Sequence, residues 1–197
     1  MRKSVVSRGT TQHLRDRTSW IDTVAGVLAA LVVSSACGGE PSTKRRNWFD
    51  TPFGPAVVGL AACPRPEGPL ITEEEMRQLA HARIERGTSC WLAKKCEDSN
   101  AYRRDPEIQR RVIDAVASTP AYARSSVWVT TERGWVTLQG CLESPALRDP
   151  LIDRVRRVAG VEAVFDELVV GTRARPRWKV DPAWRRPVDQ PKKGPTR

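Results

Sequence analysis

Between Asp105 and Val170 the spacing of apolar residues changes period repeatedly, and that rhythm limits the fold more than any other feature of the chain. Ile108, Val112, Ile113 and Val116 recur at helical spacing, behind Asp105 as N-cap and Pro106 as first helical residue. Pro120 disfavours helix at Thr119. Val127, Val129 and Thr131 then alternate with Trp128 and Thr130, and Trp135 to Leu142 alternates again, so two strands flank Glu132-Arg133-Gly134. Ser144-Pro145 opens a second helix with Leu147, Leu151, Ile152, Val155 and Val158 inward, and Gly160 stops it. Val161 to Val170 is the last strand. The order helix–strand–strand–helix–strand, over only 66 residues, predicts a small α+β unit with a modest core.

The N-terminus places that unit in a compartment. Arg2, Lys3, Arg8, Arg15 and Arg17 precede Thr23 to Ala36, a stretch of apolar or small residues too short to span a bilayer comfortably. The run ends Ser34-Ser35-Ala36-Cys37, which resembles the bacterial lipobox; Ser34 stands where Leu is commoner. That resemblance implies a signal peptide over 1–36, acylation of Cys37 (a palmitate-type anchor) and an outer-membrane lipoprotein facing the periplasm. The alternatives are a secreted or soluble periplasmic protein and an uncleaved anchor. The length of the charged region also leaves room for a start codon after Met1. Export implies oxidation, so Cys63, Cys90, Cys96 and Cys141 read as two disulfides with three possible pairings. A zinc site with His81 is the weaker reading, because no close CxxC pair is present.

Outside the periodic unit, residues 37–70 read as a flexible tether rich in Pro and Gly, and 71–104 as a short helical Cys-containing segment. Thr72 and Glu75 make a capping box, Met76, Leu79, Ala80 and Ile84 form an apolar stripe, and Gly87 is expected to end the helix. Residues 171–197 read as a basic, Pro-rich disordered tail. The formal charge of +10 resides in the chain ends: the tail carries +7 and the leader +3, while Cys37 to Val170 is neutral.

The helix–strand–strand–helix–strand order, the second strand GWVTLQG (Gly134 to Gly140) and the phrase AGVEAV (Ala159 to Val164) together resemble the BON domain, a module of bacterial envelope proteins. The matching positions are Asp105 and Ile108; Val127, Val129, Gly134, Val136, Leu138 and Gly140; and Gly160, Val161, Val164, Leu168 and Val170. The resemblance covers residues 105–170. It implies two helices on one face of a three-stranded mixed sheet, binding at membranes, and no catalytic residue to carry over.

Period two puts Val127, Val129, Val136, Leu138 and Leu142 on one sheet face and Trp128, Trp135, Cys141, Phe165 and Val169 on the other. Two helices cover one face, so the second needs its own cover or a partner. The expected cover is segment 72–96, strapped by a bridge from Cys141 to Cys90 or Cys96; the competing reading is a lipid- or protein-binding face.

No catalytic constellation, metal site or cofactor motif is present: no Gly-rich phosphate loop, nucleophile elbow or HExxH occurs. The expectation is a non-enzymatic protein that binds an anionic phospholipid or lipopolysaccharide surface. The residues for it are Arg154 and Arg157 on the second helix and Arg173, Arg175, Arg177, Lys179, Arg185 and Arg186 in the tail. The alternatives are an adaptor that binds an envelope protein through Trp128, Trp135, Phe165 and Val169, and, less favoured, a small-ligand or ion sensor. The basic tail would suit RNA, but export makes nucleic acid an unlikely partner.

Overall fold

The computed structural model describes residues 43–187; Cys37 and 188–197 lie outside them. Within this range the chain is α+β, with three α-helices and a four-stranded mixed sheet. In chain order the elements are β1 (Phe53–Val58), α1 (Glu73–Leu92), α2 (Asp105–Ala117), β2 (Ser126–Glu132), β3 (Trp135–Leu142), α3 (Arg148–Arg156) and β4 (Ala163–Val170). The strands lie side by side in the order β1-β2-β3-β4; the first two pairings are antiparallel and β3–β4 is parallel. A parallel neighbour cannot follow through a tight turn, and α3 supplies the crossover.

The expected hairpin forms as a two-residue turn. Arg133 and Gly134 both have positive φ, +59° and +73°, the geometry that matches the twist of the flanking strands. Gly140 lies where β3 comes close to β2: a Cβ there would sit 2.0 Å from the Ser126 carbonyl oxygen. The inner face is as the alternation predicts. Val127, Val129, Val136, Leu138, Leu142 and Leu168 pack under Ile108, Val112 and Val116 of α2 and Leu151, Ile152 and Val155 of α3. Two polar groups enter this layer with partners. The Gln109 amide donates to the Val129 carbonyl at 2.8 Å and accepts from Thr131 Oγ1, and Arg148 joins α3 to Asp166 and the Leu168 carbonyl on β4.

The sheet has one strand more than the three expected. The addition, β1, comes from residues read as tether. Phe-Gly-Pro-Ala-Val-Val breaks the alternation because the register shifts between Pro55 and Val57, a bulge that sends both Ala56 and Val57 toward the helices. Pro55 lacks an N–H and is tolerated because β1 is an edge strand. The first helix also differs. Thr72 and Glu75 form the reciprocal capping box, but α1 runs through Gly87 to Leu92. Gly87 is buried against Tyr102, where a Cβ would lie 2.7 Å from the ring, so it serves packing rather than termination. Leu79 and Ile84 of the α1 stripe are exposed.

Cysteine pairing departs from the expected strap. Cys63 bonds Cys141, with Cα atoms 5.8 Å apart, and Cys90 bonds Cys96. No thiol remains for zinc among the described residues, and His81 faces solvent beside Glu85. The link to Cys141 therefore comes from the loop after β1, not from segment 72–96.

Candidate functional site

The outer face of the sheet has a cover that sequence did not place. Trp128, Cys141 and Val169 are buried there with Cys63 and Trp178, and Phe53, Leu60, Ala174 and Val180 pack around them. Residues 172–180 thus form a strap over the sheet instead of a disordered tail. Hydrogen bonds hold it to the 63–67 segment. The Trp178 indole N–H donates to the Pro64 carbonyl at 3.2 Å, and Glu67 N–H donates to the Lys179 carbonyl at 2.8 Å. Asp181 N–H donates to the Arg65 carbonyl, and the Arg65 guanidinium pairs with the Asp181 carboxylate at 2.5 Å. The N–H of Ala183 and, after it, Arg65 hold the Asp181 carboxyl below its ordinary pKa. Cys63 fixes the same segment covalently to β3, so disulfide and strap form one latch.

The latch gives the strap two sides. Ala174, Trp178 and Val180 pack inward, whereas Arg173, Arg175, Arg177 and Lys179 are exposed. Four exposed cations thus stand along a segment fixed to the fold. No described carboxylate is paired with Arg173, Arg175 or Arg177. Lys179 lies near α1: the Glu75 carboxyl is held below its ordinary pKa first by the Thr72 N–H, with Lys179 a lesser contribution.

The other basic residues singled out by sequence are not part of this row. Arg185 donates to the Pro182 and Trp184 carbonyls, and Arg186 reaches the Thr172 carbonyl at 3.1 Å, closing the end of the strap on its start. Arg154 and Arg157 are exposed at the end of α3, on the helical side of the sheet, opposite the strap. One flat surface does not meet both groups through these two faces at once. Trp178 is only 8% exposed and serves as an anchor of the strap.

Of the apolar sheet residues, Trp128 and Val169 are covered. Trp135 and Phe165 stay at the edge of the cover with ring centroids 5.6 Å apart, and Phe165 is 46% exposed. The open apolar face is reduced to that corner.

Residues 104–172 match the BON domain model. The chain carries a BON domain. None of the curated proteins compared matches the chain. The BON boundaries contain α2, β2, β3, α3 and β4, the whole inner core apart from β1. They leave out β1, α1, the 63–67 segment and nearly all of the strap. The cationic row is therefore an addition to the BON domain.

Proposed function

We propose that the chain is a non-catalytic module that binds an anionic phospholipid or lipopolysaccharide surface, with the cationic strap as the contact. BON domains are known for binding at phospholipid membranes. The observation that carries the reading is the alternation of residues 173–180, buried anchors against exposed cations. Each Lys or Arg near an anionic bilayer contributes about 1 kcal/mol, so four exposed along the strap supply affinity without a pocket. A row fixed by Trp178 and Asp181 meets the surface with less ordering cost than a free tail.

In this reading Cys37 is acylated and holds the protein at the outer membrane, facing the periplasm. Anchor and strap then act as two weak contacts on one surface, which raises avidity. The adaptor alternative keeps only the Trp135–Phe165 corner for a protein partner.

Co-sedimentation of residues 40–197 with vesicles tests the surface chemistry. The expected result is binding to vesicles containing phosphatidylglycerol, none to pure phosphatidylcholine, and loss of binding as salt shortens the electrostatic range. Binding that ignores both lipid charge and salt would contradict it.

A further inference from the structure

Helix α1 is held to the fold along a narrow line. Of its 20 residues only Gly87 is buried, against the Tyr102 ring. The Tyr102 hydroxyl donates to the Arg83 carbonyl at 3.2 Å, and the Arg83 guanidinium pairs with Glu132 at 2.7 Å. A helix ordinarily takes most of its stability from packing an apolar face. Here Ile84, Trp91 and Leu92 are 67%, 47% and 68% exposed.

The open flank has a regular spacing. Glu73, Arg77, Ala80, Ile84, Thr88 and Trp91 follow one another at intervals of three and four residues and so share one side of the helix. A groove of about 410 Å³, walled by Phe49, Ala80, Thr88 and Tyr102, lies beside Ile84 on this flank. The two ends differ in charge. Glu73 and Glu74 open the helix, whereas Lys94 and Lys95, both exposed, follow it in the turn closed by Cys90–Cys96. Ile84 is the midpoint: Glu74 and Lys94 lie equally far from it in sequence, as do Arg77 and Trp91.

We propose that this flank binds a second copy of the chain, α1 against α1, antiparallel about Ile84. A twofold axis lets one patch meet itself, each residue facing the one equidistant from the centre. Through Ile84 the axis sets that side chain against its own copy beside the two grooves. It brings Arg77 to the partner's Trp91 as a cation over a ring, and Glu74 to the partner's Lys94 as opposite charges. A parallel pair would set acidic end on acidic end. The spacing of three and four residues suits two helices that cross at a shallow angle. The surface lies outside residues 104–172, so it is an addition to the BON domain, and it is independent of the strap.

Sedimentation equilibrium of residues 40–197, which lie in one compact unit, tests it. The mass should rise with concentration from one chain to two and no further. I84E puts like charges together on the axis and should stay monomeric where wild type is mostly dimeric; Ile84 is exposed, so the variant keeps the fold. L79E, also at an exposed residue but on another side of α1, should dimerise as wild type. E74K and K94E should each weaken the dimer about tenfold, and mixing the two should restore it, since opposite charges then meet at both ends. Mixing does not repair a folding defect. Wild type that stays monomeric at every concentration, undiminished dimer in I84E, or a mixture no tighter than its parts overturns the proposal. Neutralising Arg173, Arg175 and Arg177 should leave the dimer intact, so failure here and failure of strap-mediated binding are separable.

Discussion

A single carboxylate, that of Asp105, ties the first helix of the BON domain to its hairpin. Asp105 is the first residue inside α2 and Arg104 is the cap, so the expected N-cap is displaced by one residue. Its side chain satisfies two N–H groups of the turn instead of its own helix. That role is invisible in sequence, since the partners are 28 and 29 residues away and no local pattern joins them. The turn itself was legible, because Gly134 marks it. Replacing Asp105 by Ala leaves two buried donors unpaired and should cost about 3 kcal/mol in urea unfolding. Burial raises the Asp105 pKa above its ordinary 3.8, with the two N–H groups partly offsetting it. Between the ordinary and the raised value the folded state binds more protons than the unfolded one, so stability from this group falls as pH rises. The stability margin of wild type over D105A should therefore be widest in acid and narrow on the way to neutrality. A margin that widens with pH would reverse the sign.

At the scale of elements, the inner core follows the written periodicity and the outer layer does not. The helices and strands of the BON domain each have several apolar residues at their own period, so local pattern and tertiary burial agree. β1 was hidden by Gly54, Pro55 and a bulge, each of which breaks period two. The strap was hidden because Ala174, Trp178 and Val180 are three anchors among arginines and prolines, and composition there favours disorder. The cysteines fixed the chemistry but not the pairing, which depends on where β1 delivers Cys63. Trp178 is the anchor on which the strap depends. Trp178→Ala should release residues 172–187, speeding tryptic cleavage after Arg173, Arg177 and Lys179, while the inner core keeps its unfolding transition. Unchanged cleavage would mean that the backbone bonds to 65–67 suffice.

For the whole molecule, the sheet separates two charged regions. The α3 arginines lie on its helical side and the strap cations on the other, so contact with a flat surface through one leaves the other free. Both regions were readable as basic, but only the register of 172–180 shows which side chains point away from the fold. The measurement that tests this most directly compares two triple charge reversals of equal size in vesicle binding at low salt. Arg173, Arg175 and Arg177 to Glu should abolish binding to phosphatidylglycerol vesicles, and Arg154, Arg156 and Arg157 to Glu should leave most of it. Equal losses would reduce the strap to bulk charge, and loss confined to the α3 set would place the contact on the helical side and contradict the account.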